Sequence, residues 1–185
     1  WHPFTGRDYT DNIIHDIAVE GNGNVWIAPA QSGFLAFGPD NALVMSPELP
    51  GQPQTVMVDR EGAVWLGTFG EGIIRYFQGS MERFTQDDGL ASNYVLSLAE
   101  TPDGSIWIGT SDGLTQLLDV RFPTISTRQG LVSNGVLCVS ADPKGGVWAG
   151  TNNGLSIIRD GSIQNYGLEG SQGFQSRWIK RIFFA

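Results

Sequence analysis

The sequence predicts an all-β protein built as a β-propeller of four-stranded antiparallel blades. Three observations predict it. Trp26, Trp65, Trp107 and Trp148 recur at intervals of 39, 42 and 41 residues, and a period near 40 residues made of strand-like pieces marks stacked blades. Each tryptophan sits in the same phrase: GNGNVWIAP, REGAVWLGT, PDGSIWIGT and PKGGVWAGT. Short apolar runs separated by glycine-bearing turns flank each phrase, a pattern of hairpins rather than helices.

Each unit resolves into four strand signals, A to D. In strand A the residues twelve and nine before the tryptophan are Ile14 and Ile17, Pro53 and Val56, Val95 and Leu98, Val136 and Val139. Val95, Leu98, Val136 and Val139 are expected to be almost fully buried. Ala18, Ser97, Ala99, Cys138 and Ser140 give the same strands a second face of small side chains. A blade is covered on both faces and crowded at its innermost strand, so small residues fit there. A sandwich would turn polar groups outward instead. The turn to strand B carries Gly23, Gly62, Gly104 or Gly145 three residues before the tryptophan, where a hairpin requiring positive φ is expected.

Strand B holds the tryptophan as a spacer between blades, and cutting such a residue to alanine costs roughly 3–5 kcal/mol. The next turn ends in Gly33, Gly72, Gly113 or Gly154, and strand C reads FLAF, IIRYF, LTQLL and LSIIR. Strand D is weaker: ALVM, MERFT, FPTIST and IQNYG. Units three and four are entered through DDGLASN (87–93) and RQGLVSN (128–134). The chain is thus one propeller segment, 1–185. Its blades fall near residues 6–48, 49–89, 90–130 and 131–172, and a further blade starts at 173–185.

Composition narrows the function. The chain has 185 residues, 25 of them glycine, and a formal net charge of −8 without a lysine or arginine run. Phosphate binding needs a cationic footprint, so nucleic acid is not an expected partner. No apolar run approaches the roughly 20 residues of a membrane span. One cysteine and two histidines exclude an intrachain disulfide and the common zinc sites, so neither metal nor cofactor is expected. Cys138 reads as inert core. A start at Trp1 without methionine fits a processed or excised segment.

Antiparallel order places the D-to-A and B-to-C loops on one end of the blades and the A-to-B and C-to-D turns on the other. The irregular residues fall on the first end, where binding residues concentrate. The B-to-C loops offer Ala30, Gln31 and Ser32; Phe69, Gly70 and Glu71; Ser111 and Asp112; Asn152 and Asn153. The D-to-A loops add Asn93, Tyr94, Asn134, Arg177 and Trp178.

Ile13, Tyr94 and Gly135 occupy the slot of Trp178 in other units. The scaffold therefore demands no aromatic there, and an indole beside Arg177 suits stacking on a sugar or organic ring. The expected ligand-binding set is Trp178, Arg177, Tyr94, Phe69, Glu71, Asp112, Asn152 and Asn153. Asn93 and Asn134 read as turn formers. No catalytic constellation appears: His15 and Asp16 are adjacent on a strand and so point to opposite faces, and Asp87 and Asp88 are turn neighbours rather than a cleft pair.

GLASNYVLSLAETPDGSIWIGTSDGL (89–114) and GLVSNGVLCVSADPKGGVWAGTNNGL (130–155) resemble the repeat of two-component regulator propellers. Units one and two depart from it, with Ala28-Pro29 in place of Gly-Thr and ELPGQP (48–53) in place of GLxSN. The resemblance implies an extracytoplasmic, periplasmic or extracellular, sensor region of a bacterial histidine kinase, hybrid two-component protein or diguanylate cyclase. It implies a non-enzymatic module that recognises a small molecule or glycan. A propeller lyase or hydrolase is the alternative, since streptogramin-lyase-like propellers also repeat a D-G-x-x-W turn; a protein-interaction scaffold is another.

QGFQSRWIKRIFFA (172–185) matches the entry and strand A of a fifth unit, and Phe4 and Thr5 match Phe84 and Thr85 at the end of a strand D. Propellers carry roughly 4–8 blades and the resemblance implies about seven, so the remaining blades are expected from the same polypeptide or another chain.

Overall fold

The computed structural model describes residues 13–31, 33–47, 49–117, 124–167 and 178–184. Among the described residues, sixteen strands form four sheets, each in simple chain order. Blade one comprises β1 (Ile14–Val19), β2 (Val25–Pro29), β3 (Leu35–Phe37) and β4 (Leu43–Met45). Blade two comprises β5 (Gln52–Val58), β6 (Val64–Phe69), β7 (Ile73–Phe77) and β8 (Ser80–Phe84). Blade three comprises β9 (Val95–Glu100), β10 (Ile106–Thr110), β11 (Gly113–Leu117) and β12 (Thr124–Ile125). Blade four comprises β13 (Val136–Ala141), β14 (Val147–Thr151), β15 (Gly154–Arg159) and β16 (Ser162–Tyr166). Neighbouring strands are antiparallel throughout, as hairpin-length connections require.

The turn glycines behave as their positions demand. Gly23, Gly62, Gly104 and Gly145 have φ of 90°, 85°, 88° and 92°, a region other residues rarely adopt. Six residues before the tryptophan, an acidic side chain organises this turn. The indole N–H donates to Glu20 at 2.7 Å in blade one, to Asp59 at 2.8 Å in blade two and to Asp142 at 2.9 Å in blade four. At the other end, the threonine of the W-x-G-T phrase holds the B-to-C turn. Thr68, Thr110 and Thr151 donate from Oγ1 to the carbonyls of Gly72, Gly113 and Gly154. Pro29 stands at that position in blade one and cannot do this.

A bulge explains how two positions three apart share one face. In every blade the pairing of strand A with strand B skips one residue: His15, Gln54, Leu96 or Leu137. A regular strand would turn positions twelve and nine before the tryptophan to opposite faces, and the extra residue brings them together. Both then point at the preceding blade. Its strand B answers with glycine two residues after the tryptophan. A Cβ at Gly67 would fall 2.7 Å from Val95 Cγ1, and one at Gly109 would fall 2.8 Å from Val136 Cγ1, closer than carbon atoms can approach.

Each apolar cluster accordingly lies between consecutive blades. Trp26, Phe34 and Ala28 join Val56, Leu66 and Ile74 between blades one and two. Trp65 and Ile73 join Leu90, Val95 and Ile108 between blades two and three. Trp107 and Leu114 join Leu131, Val136 and Ala149 between blades three and four. Trp26, Trp65 and Trp107 are buried, as spacers should be. Trp148 is half-buried, with Phe184 edge-on to its ring at 5.3 Å.

The expected burial of strand A needs correction. Val95 and Val136 are fully buried, but Leu98 and Val139 are only half-buried. The reason is the bulge, which spends the close approach of the preceding blade on position twelve. Burial also pushes the Cys138 thiol up to about 11, and its S–H donates to the Ile179 carbonyl.

Candidate functional site

The D-to-A and B-to-C loops meet at one end of the blades through main-chain hydrogen bonds. Gly70 N–H and Gly72 N–H of blade two both donate to the Asn93 carbonyl, which leads into blade three. Ser111 N–H donates to the Tyr94 carbonyl, and Asn152 N–H to the Gly135 carbonyl. The GLxSN segments are the hinge pins of this arrangement. Leu90 and Leu131 are buried, and Asn93 and Asn134 accept from the N–H groups of Gln86 and Thr127 at 2.8 and 2.7 Å. These two asparagines therefore shape the loops, as the sequence suggested.

The loops bring Phe69 and Tyr94 together across the boundary between blades two and three. Their backbones form an isolated β-bridge, and their rings meet edge to face with centroids 4.5 Å apart. Neither ring is consumed by this contact: Phe69 remains 47% exposed and Tyr94 43% exposed. Beside them Glu71 is ion-paired with Arg83, which also donates to the Glu71 carbonyl. An exposed, rigidly held aromatic pair flanked by charge presents an apolar surface and a hydrogen-bonding edge at once.

The other expected residues are spread along the same end. Asp112 is exposed and accepts from Ser111 Oγ at 3.2 Å. Asn152 is exposed and its Oδ1 accepts from Ser133 at 2.6 Å; Asn153 is exposed beside it. Trp178 is 60% exposed, with Lys180 Nζ 5.3 Å from its ring centroid. Arg177 and Ser32 lie outside the described residues. Ala30 is half-buried, its N–H bound to the Ile13 carbonyl, and Gln31 is exposed. His15 presents a ring nitrogen to the Pro53 carbonyl at 2.8 Å, and Asp16 accepts from Thr55 Oγ1 and Val56 N–H. Both residues tie blade one to blade two.

Sequence reading missed a groove at the opposite end. Between blades two and three the A-to-B turns leave a space of about 770 Å³, lined by Asp59, Glu61, Arg75, Glu82, Glu100 and Asp103 among others. Arg75 is held between Trp65 and Phe77 and paired with Glu82, and Arg60 clamps Glu100 and the carbonyls of Thr101 and Pro102. Arg60 thus joins the two blades, while Arg75 is held within blade two.

Four four-stranded antiparallel sheets packed face to face define a run of β-propeller blades. Comparison with known proteins adds the repeat type. Residues 89–112 and 130–153 match the family described as two component regulator propeller, so these two segments carry repeats of that type. None of the curated proteins compared matches it. Among solved structures it is similar to virginiamycin B lyase from Staphylococcus aureus, at 18% identity and a TM-score of 0.72 over 88% of this chain and 58% of that one. It is similar to the extracellular domain assigned to the hybrid two component system BT4673 of B. thetaiotaomicron, at 20% identity and a TM-score of 0.73 over 96% of this chain and 26% of that one. It is also similar to YCF48 bound to D1 peptide, at 14% identity and a TM-score of 0.60 over 88% and 55%. These likenesses establish the propeller fold. The chain spans little more than half of the lyase and about a quarter of that extracellular domain.

Proposed function

We propose that these blades are a non-enzymatic ligand-sensing part of a bacterial two-component signalling protein. The reading places them on the periplasmic or extracellular side and gives them a small ligand, a carbohydrate in the first instance, at the D-to-A end. The observation that carries it is the exposed Phe69–Tyr94 pair, set by main-chain bonds between two blades. A sugar's apolar face stacks on such rings while its hydroxyls reach neighbouring polar groups. The two-component repeats support the signalling context, and Trp178, Arg177, Asp112, Asn152 and Asn153 are the proposed further contacts.

The lyase reading is the alternative, and His15 lends it no support. One solved form of virginiamycin B lyase is described as catalytically inactive after replacement of a histidine. Of the two histidines here, His15 faces the Pro53 carbonyl in a blade-to-blade contact, and His2 lies outside the described residues.

The test is a calorimetric screen of defined neutral oligosaccharides, followed by Phe69→Ala, Tyr94→Ala and Trp178→Ala. Each truncation of a contacting ring should weaken binding by about tenfold, the effect of losing a well-packed aromatic anchor. Unchanged affinity in the Phe69→Ala/Trp178→Ala double variant would mean the site is elsewhere. Loss on Glu61→Gln or Glu82→Gln instead would move it to the opposite groove. Chemical conversion of the bound sugar would make the protein an enzyme.

A further inference from the structure

The seam between blades two and three carries charge where the seam before it is apolar. One wall is a row across blade two, in which Trp65 pairs with Arg75 and Arg75 with Glu82. The same row in blade one is Trp26, Ala36 and Met45. The facing wall is a row across blade three: Glu100, Ile106 and Leu117. In blade two that row is Val58, Val64 and Tyr76, and in blade four it is Ala141, Val147 and Ile158. Met45, Val58, Val64 and Tyr76 all pack into the apolar cluster between blades one and two. Between blades two and three Glu100 turns instead to Arg60, and the seam opens as the groove of about 770 Å³.

We propose that this groove is a binding site in its own right and that it takes a linear aliphatic polyamine. Its lining bears six carboxylates against two guanidiniums. Neither guanidinium is available to neutralise a further acid. Arg60 is spent on Glu100 and two carbonyls, and Arg75 lies 5.7 Å from the Trp65 ring centroid and 4.9 Å from that of Phe77. Arg75 also displays the chemistry the wall accepts, a cation over aromatic rings beside a carboxylate. Glu82 is held only loosely, 3.6 Å from Arg75 with its side chain 58% exposed. The Glu61 side chain has no ion pair among the described residues.

The placing of the acids selects the cation. Among the described residues no three of them converge as metal ligands would. They are divided between the two walls, and Phe84, Ile106 and Leu117 line the same space. A matching ligand carries separated positive charges on an apolar chain. Ammonium groups joined by methylenes meet that description, because the stem lies on apolar surface while the charged heads reach the acids. The site is distinct from the Phe69–Tyr94 pair and does not rest on the carbohydrate reading.

Calorimetric titration of the full chain with spermidine tests this, in salt of about 0.1 M so that charges more than about 10 Å apart are screened. Spermidine should bind, and Glu61→Gln and Glu82→Gln should each weaken it by about fivefold. Asp160→Asn removes the same charge from the C-to-D turn of blade four and should change nothing, as should Phe69→Ala. Absence of binding, or equal weakening by Asp160→Asn, would overturn the site. Magnesium bound as tightly as spermidine would overturn the ligand class, and loss of spermidine binding in Phe69→Ala would place it at the other end of the blades. Should the glutamine variants fail to fold, amide exchange of the natural chain decides. Exchange slowed by spermidine in β8 and in the turn at 101–105 supports the groove, and slowing elsewhere or nowhere refutes it.

Discussion

Trp107 ends differently from the tryptophans of the other three blades. Its indole nitrogen is buried without a hydrogen-bond partner among the described residues, because Thr101 stands where Glu20, Asp59 and Asp142 accept in the other blades. The Thr101 hydroxyl is itself turned to Asp103 at 2.5 Å and the Ser105 carbonyl at 3.1 Å. A buried donor left unpaired costs roughly 1–3 kcal/mol. Thr101→Asp should recover part of this, raising stability in urea by about 1 kcal/mol. The gain should be larger with Asp103→Asn, which removes the like charge two residues on. Stability unchanged in both variants would show that the indole N–H is already satisfied. The signal was in the sequence, since the acid six before the tryptophan recurs in three units of four. It went unread because a side-chain bond across a turn leaves no hydrophobic period.

At the scale of the turn, the same acid sets a pH dependence. Asp142 accepts from Lys144 N–H at 2.8 Å, then from the Trp148 indole, and is ion-paired with Arg159. These bonds, the backbone one foremost, hold its carboxyl below the ordinary value of 3.8. A folded-state pKa below the unfolded one gives stability that is fully present above the unfolded value and is lost as pH falls through the folded value. Asp142→Asn should therefore be less stable than the natural chain at about pH 6, and the gap should close as pH drops below about 3.8. Urea titrations at several pH values read this directly, and a gap that stays constant into strong acid would remove Asp142 from the acid response.

Strand order and turn glycines were legible because residue type alone decides them: positive φ selects glycine, and apolar alternation selects strands. Which strand A residues would be enclosed was not. The bulge at His15, Gln54, Leu96 and Leu137 has no compositional mark, and it moves the tightest contact to position twelve. The loop residues were placed on the correct end by strand order, but the pairing of Phe69 with Tyr94 depends on how two blades are offset.

For the molecule as a whole, the three clusters each join two consecutive blades. Stability then approximates a sum of blade terms and nearest-neighbour terms, as in other repeat architectures. One repeat position should therefore carry different weights along the chain. Leu98, nine before Trp107, sits between blades two and three and is partly covered on its side; Leu98→Ala should cost about 2 kcal/mol, the lower end for a core leucine. Ile17, nine before Trp26, has no blade on its outer side among the described residues and is about half exposed, so Ile17→Ala should cost well under about 1 kcal/mol, as exposed positions do. Denaturant titration of the two variants measures both values on one scale. A cost at Ile17 equal to that at Leu98 would mean that something covers β1 and that the two blades are energetically equivalent. The expected inequality would show instead that a blade draws its stability from its neighbours, so that blade one stays the weakest element until a blade packs against it.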